Sequence, residues 1–340
     1  MKIAVSGYYG FDNTGDEAIL EAIKSGINQN NIDAEIVVLD KNNRFNVDYI
    51  LKSDVLLSGG GSLLQDSTST RSFLYYLSII KIAKVFGKKI FVFAQGIGPI
   101  TKSYNEFLLK NTLNSVDLIT VRDVDSFNYL KSLKLSNPKI VETADPTFIL
   151  NPEKDSTWIK QEGIVLNKKP LIGVILRSIK KNKPNPKYLA NIFDKMANDL
   201  KAQLLFIPFQ YPQDISFVKQ VYDNMLSKPA IIFRKLKPKE IMGIISEMDL
   251  IIGMRLHSLM FAANCLVPAI GLTYDPKVDS FMEEVSLPYL PYENFKGDDL
   301  ISMAEDMLDN KDKIVNSLKL AKRRLYAKAM TNFGMLNLLL

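Results

Sequence analysis

Short apolar runs rich in Val, Ile, Leu and Phe alternate with helix-length amphipathic segments from the first residues to about residue 290. A run of roughly 4–8 apolar residues between polar segments fits a strand covered on both faces, and apolar positions three or four apart fit the helix that covers it. In the first half the pattern predicts strands at 2–6 (KIAVS), 35–39 (EIVVL), 54–58 (DVLLS), 89–94 (KIFVFA) and 117–121 (DLITV). Helices are predicted between them at 15–29, 71–86, 103–115 and 124–133. Residues 144–170 lose the periodicity and gain proline and charge, which predicts a linker with a short helix. The pattern resumes with strands at 171–176, 203–208, 230–233, 249–253 and 268–272, and helices at 187–200, 214–226, 237–246, 256–265 and 277–285.

Strands alternating with helices make parallel sheets, so the fold class is α/β. A chain of 340 residues exceeds what one core usually supports. The expectation is two doubly wound Rossmann-like domains facing across a cleft, at 1–165 and 166–320, followed by a basic amphipathic helix at 321–340 that packs as a cap. In such sheets ligands sit beyond the carboxyl ends of the strands, so motifs directly after a strand are the site candidates. DLITVRD (117–123) and DLIIGMRLHS (249–258) read as equivalent strand ends in the two halves.

Composition narrows the classes. Hydrophobic residues at 47% and charged residues at 24% are ordinary for a folded soluble protein and exclude a disordered chain. The net charge of +6 suits anionic ligands, but Lys and Arg are dispersed, which argues against nucleic acid as a partner. Cys265 is the only cysteine, so no internal disulfide or thiolate cluster forms, and a cytoplasmic setting is expected. The first residues turn polar after one short apolar run, unlike a signal peptide. The longest apolar stretch, FLYYLSIIKIAKVF, is interrupted by Lys81 and Lys84, so no transmembrane segment is expected.

Three strand ends in the first half carry loop glycines. The first leads into GYYGFDNTGDEA, whose Gly7, Gly10 and Gly15 do not match the dinucleotide fingerprint. The Asp16 and Glu17 carboxylates would repel phosphate, so the loop with Asn13 and Asp16 suits neutral sugar hydroxyls, unless these two residues merely cap the following helix. The third strand ends in SGGGSLLQD, where Gly59, Gly60 and Gly61 admit close backbone approach to a ligand or serve a tight packing turn, and Gln65 and Asp66 offer hydroxyl-binding groups. AQGIGP (94–99) ends the fourth.

The sharpest signal lies in the second half, where DLIIGMRLHSLMFAA sets the chain's single histidine, His257, just after a strand in the first turn of a helix. Arg255, Leu256 and Ser258 flank it, and the free amides of a helix start add to an anion pocket beside a group able to donate a proton near neutral pH. Arg177, ending LIGVILRS, and Lys277, in TYDPKVDS, follow other strands of the same sheet and are expected to converge there. No metal site with workable ligand spacing is present in the sequence, and none is expected.

These motifs together resemble the polysaccharide pyruvyltransferase family, and within it the bacterial CsaB type: SGYYGFDNTGDEA, SGGGSLLQD with SFLYYL, FAQGIGP, VRD, and GMRLHSLMFAA with PAIGLTYDPKV, from residue 5 to about 278. The resemblance implies a glycosyltransferase-like (GT-B) fold whose N-terminal half takes the acceptor and whose C-terminal half takes the donor. It implies phosphoenolpyruvate as donor, no cofactor, donor contacts from Arg255, Leu256 and His257, and Arg177 as a second donor arginine. The acceptor it implies is a sugar, N-acetylmannosamine in a cell-wall precursor on a polyprenyl diphosphate at the inner membrane face. In this reading His257 is the general acid, the two arginines stabilise the anionic donor and departing phosphate, and Asp16 orients or deprotonates the attacking hydroxyl. A sugar-nucleotide glycosyltransferase on the same fold, or a noncatalytic anion- or glycan-binding protein, fits the same pocket, and phosphate release separates them.

Overall fold

The computed structural model describes residues 1–154, 170–179 and 185–340. They form two compact units, one of Met1–Leu150 with Arg324–Leu340 and the other of Asn151–Arg323. The sequence-based boundary at 165 and residues 155–169 of the expected linker lie outside the described residues; the described part of the linker holds one turn of 3-10 helix at Pro146–Ile149.

Unit 1 alternates β1 (Lys2–Ser6), α1 (Thr14–Gln29), β2 (Glu35–Leu39), α2 (Val47–Leu51), β3 (Val55–Gly61), α3 (Thr70–Val85), β4 (Lys89–Gln95), α4 (Ser103–Leu113), β5 (Leu118–Val121), α5 (Val124–Ser132) and β6 (Lys139–Glu142). The strands lie in the order β2-β1-β3-β4-β5-β6, and every pairing is parallel. Helix α1 shows why these residues settle this way: Ala18, Ile19, Ala22, Ile23, Gly26 and Ile27 recur at helical spacing and are buried.

The triple glycine, expected as a loop after the third strand, continues the strand to Gly61. A Cβ on Gly60, at φ +39°, would lie 2.1 Å from Ile19 Cγ2 of α1, and one on Gly59 would lie 3.0 Å from the Tyr9 hydroxyl. Bare backbone at these positions lets α1 and the preceding loop rest directly on β3. Gly26 performs the same service for Phe333, whose Cζ would lie 2.2 Å from an added Cβ.

Unit 2 contains β7 (Leu171–Ile175), α6 (Pro186–Asp199), β8 (Gln203–Phe206), α7 (Gln213–Asn224), β9 (Ala230–Ile231), α8 (Pro238–Ser246), β10 (Leu250–Gly253), α9 (Leu256–Asn264), β11 (Ala269–Thr273), α10 (Pro276–Glu284), β12 (Tyr289–Pro291) and α11 (Gly297–Asp309). Its order is β12-β11-β10-β7-β8-β9, again parallel throughout. The connections reverse direction between β1 and β3 in unit 1 and between β7 and β10 in unit 2. At such switch points the loops diverge and leave a crevice.

The final helix, α12 (Lys311–Leu339), supplies residues to both units. Beyond Arg323 its buried positions are Leu325, Ala329, Asn332, Phe333 and Leu336, one stripe at helical spacing. Phe333 meets Phe93 edge to face at 5.3 Å. Asn332 accepts from Thr143 Oγ1 at 2.9 Å and donates to the Ala144 carbonyl at 3.0 Å. Asn332→Ala leaves that buried carbonyl unpaired and is expected to cost about 1–3 kcal/mol, read as a lower urea midpoint at unchanged slope. No helix among the described residues is long and apolar enough to cross a membrane.

Candidate active site

The carboxyl edge of the unit 2 sheet gathers the residues with the strongest chemistry. Strand β10 ends at Gly253, where a Cβ would lie 2.6 Å from Ser258 Oγ. The lack of one lets α9 start directly against the strand. Ser258 is fully buried and its hydroxyl donates to the Arg255 carbonyl at 2.6 Å, so it closes this turn.

Arg255 is the N-cap residue of α9 and only 7% exposed. Its Nε donates to Asp214 Oδ2 at 2.7 Å, and its Nη2 donates to Asp214 Oδ1 at 2.6 Å and Gln210 Oε1 at 3.0 Å. Asp214, in the first turn of α7, also accepts the amides of Phe209 and Gln210 at 3.1 and 2.9 Å. This bidentate pair fixes the guanidinium plane and leaves Nη1 outside the Asp214 and Gln210 contacts. A buried carboxylate thus offsets the charge of Arg255, whose value to a ligand is a positioned N–H more than a free cation.

His257 is half-buried, with Nε2 shielded from solvent, and its ring meets Phe261 one helical turn on at 6.5 Å between centroids. Leu256 beside it is half-buried as well. Arg177 follows β7, the neighbour of β10; its amide donates to Met254 Sδ at 3.4 Å. Its Nη1 donates to the Tyr274 hydroxyl, and its guanidinium carbon lies 5.1 Å from the Tyr274 ring centre. Tyr274 follows β11, and Lys277 sits in the first turn of α10, capped by Asp275. Arg177, Arg255, His257 and Lys277 therefore all follow the ends of three adjacent strands, β7, β10 and β11, with Arg177 and Arg255 on either side of the switch point.

Unit 1 distributes its nominated residues differently. Asn13 caps α1, accepting from the Gly15 amide at 3.2 Å. Asp16 stands over the end of β3, its Oδ1 3.0 Å from where a Cβ on Gly61 would be. Burial raises the Tyr8 phenol above its ordinary pKa, Asp16 raises it further, and Arg44 only partly opposes them. Gln65 orders its own turn: its carbonyl oxygen accepts from Ser67 Oγ at 2.7 Å and the Thr68 amide at 3.1 Å.

Asp66 is 6% exposed and ties β3 to the start of α4, accepting from the Thr101 amide at 2.7 Å, Thr101 Oγ1 at 2.9 Å, the Lys102 amide at 3.3 Å and Asn105 Nδ2 at 2.6 Å. Burial pushes its carboxyl pKa up, but the bonds from Asn105, Thr101 and Lys102 outweigh burial and hold it below the ordinary value. A depressed folded-state pKa means stability that is present above the unfolded carboxyl value and lost as pH falls through the folded one. Urea titrations between neutral pH and pH ~3 should show a drop at the acid end that is smaller in Asp66→Asn.

The partners of the strand-end arginines are set by the fold. Asp214 and Tyr274 hold the two arginines, and unit 1 has a counterpart in Arg122, which follows β5 and donates from Nη1 to buried Asp145 at 2.7 Å. Burial pushes the Cys265 thiol up to about 12, which removes it as a nucleophile near neutral pH. Among the described residues no group of three or more His, Cys, Asp or Glu is placed to hold a metal. A cavity of about 390 Å³ lies at the amino ends of β8 and β9, lined by Asp194, Ser227 and Lys228, and contains none of the nominated residues.

Two parallel α/β units, each with a switch point in its sheet, make a Rossmann-like GT-B architecture, and solved structures share this fold. The chain is similar to S. aureus MnaA with UDP (TM-score 0.68, 11% identity, covering 99% of this chain and 95% of that one). It is similar to the UDP-GlcNAc 2-epimerase of Neisseria meningitidis bound to UDP-GlcNAc (TM-score 0.64, 13% identity, 99% and 100% covered). HepE of Anabaena in complex with UDP-glucose also matches (TM-score 0.60, 12% identity, 100% of both chains). The family is given by sequence: the polysaccharide pyruvyl transferase profile matches residues 13–276, and the chain belongs to that family of transferases.

Proposed function

We propose that this transferase moves the pyruvyl group of phosphoenolpyruvate onto two hydroxyls of a sugar as a ketal, releasing phosphate, with the donor held in unit 2. The observation that carries the reading is the placement of Arg177 and Arg255 at the ends of adjacent strands β7 and β10, with His257 in the first turn behind β10. Phosphoenolpyruvate bears a carboxylate and a phosphate, and guanidinium groups match both. Arg177 supplies a cation and Arg255 an N–H fixed by Asp214. Lys277 and the amides opening α9 add positive potential; Leu256 forms the apolar side of the pocket, and Ser258 holds the turn.

The methylene carbon takes up a proton and becomes methyl, and His257 donates either that proton or the one that neutralises the departing phosphate. The first sugar hydroxyl bonds to the central carbon and loses its proton; phosphate then leaves with the C–O bond electrons, and the second hydroxyl bonds to the same carbon and loses its proton, closing the ketal. In unit 1, Asp16 is the candidate to orient or deprotonate a hydroxyl, with Asn13 and the Gly59–Gly61 backbone shaping its surroundings, and Gln65 and Asp66 holding the adjoining loop. No cofactor takes part. The acceptor in this reading is N-acetylmannosamine of a lipid-linked cell-wall precursor, met on the cytoplasmic side of the membrane.

Incubation with phosphoenolpyruvate and candidate saccharides, followed for inorganic phosphate and the mass of a pyruvyl ketal, tests it. Both products are expected together. Nucleotide release from a sugar nucleotide, with phosphoenolpyruvate left intact, replaces the reading with glycosyl transfer, and saturable binding without turnover replaces it with a binding protein.

A further inference from the structure

A second concentration of unusual side chains lies in unit 1, on the loops after β1 and β2. Tyr8 and Phe11 stack with ring centroids 4.2 Å apart and planes within 8°. The Arg44 guanidinium carbon stands 4.5 Å from the Tyr75 ring centre, 4.9 Å from Phe45 and 5.9 Å from Phe11. Lys41 Nζ reaches Phe11 at 5.9 Å. The Tyr75 hydroxyl donates to the Arg44 carbonyl at 2.6 Å, which pins the loop to α3.

Packing alone does not account for this arrangement. Nε of Arg44 is shielded from solvent with no hydrogen-bond acceptor, and among the described residues no carboxylate pairs with its guanidinium. Aromatic faces attract a cation but do not neutralise it, so Arg44 and Lys41 keep their charges among flat apolar surfaces, with Asp16 acting on Tyr8 at the edge of the cluster. Phe45, 76% exposed, leaves one of those surfaces open to solvent. The whole lies at the carboxyl edge of the sheet, where parallel α/β units bind ligands.

We infer that this aromatic and guanidinium cluster is a recognition subsite for a phosphorylated saccharide, in which Arg44 and Lys41 meet the phosphoryl group and the exposed Phe45 ring lies against the sugar. The ligand class follows from the two chemistries combined: an uncompensated planar cation selects an anion with several acceptor oxygens, and aromatic faces select the C–H face of a pyranose. As an acceptor subsite it rests on the pyruvyl-transfer reading, and it makes Arg44 a specificity residue remote in sequence from the donor arginines.

The test is a calorimetric titration of N-acetylglucosamine 1-phosphate, free N-acetylglucosamine and inorganic phosphate into wild type, Arg44→Ala, Arg44→Lys and Phe45→Ala, with phosphoenolpyruvate titrated into each as a reference. The sugar phosphate is expected to bind wild type more tightly than either fragment, and to lose roughly 10- to 100-fold in Arg44→Ala and less in Arg44→Lys. Weakening is also expected in Phe45→Ala, with phosphoenolpyruvate affinity constant throughout. Equal sugar-phosphate affinity in wild type and Arg44→Ala overturns the inference, as does inorganic phosphate binding as tightly as the sugar phosphate. Arg44-dependent binding to phosphatidylglycerol vesicles without sugar-phosphate binding also overturns it, in favour of a membrane surface. Arg44-dependent binding in a protein that never consumes phosphoenolpyruvate sinks the pyruvyl reading alone, whereas pyruvyl transfer with Arg44 dispensable for binding sinks only this one.

Discussion

His257→Ala is expected to slow phosphate release from phosphoenolpyruvate by about 10²–10⁴-fold, the usual contribution of a positioned general acid. Water replaces a positioned proton donor poorly. The same substitution should hardly change stability. The imidazole is half-buried and meets Phe261 edge-on at 6.5 Å, an aromatic contact worth about 1 kcal/mol or less. Phosphoenolpyruvate binding should survive, because in the proposed site Arg177 and Arg255 are the main anion contacts. A variant that binds the donor, unfolds at the wild-type urea concentration and turns over normally removes His257 from the chemistry.

Asp214→Ala is expected to act in the opposite way, costing stability first and activity as a consequence. It strips the bidentate partner from a guanidinium only 7% exposed and frees the Phe209 and Gln210 amides. Removing one member of a buried pair costs about 3–5 kcal/mol, a large part of the stability of an ordinary domain. A second comparison separates packing from function: Asp214→Leu combined with Arg255→Met replaces charge by volume, and is expected to recover most of the unfolding midpoint with phosphoenolpyruvate affinity still impaired. If Asp214→Ala unfolds like wild type, the pair is not the support described. If the double variant binds donor normally, Arg255 has no part in the site.

Both expectations depend on a residue that the sequence offered no means of finding. Arg255 and His257 stood out because they follow a strand directly, and the strands themselves were legible wherever four or more apolar residues ran together. Asp214 lies 41 positions from its partner, and nothing in its local context PFQYPQD ranks it above other helix-start carboxylates. Edge elements were lost for a related reason. Strands β6 (KIVE) and β12 (YLP) and the short helix α2 are too brief for any period to emerge, and α11 hides its buried Leu300, Ile301, Ala304 and Met307 among acidic residues. The glycines of β3 posed another difficulty: a triplet reads equally as a loop or as room for a neighbour, and only the position of Ile19 against Gly60 decides between them. Gln65 and Asp66 were legible as polar groups at a strand end, but not the fact that Asp66 is held by four donors of the next loop and helix.

The division of helix α12 between the units sets the order in which the protein can mature on the ribosome. The sheet of unit 1 emerges first, yet Phe333 and Asn332, which fill its core beside Gly26 and Thr143, are translated only after every strand of unit 2. Nascent unit 1 therefore waits with an open hydrophobic seam while its successor completes a sheet, a period of exposure in which chaperones act. A rearranged gene that places codons 324–340 ahead of codon 1 would shorten that wait.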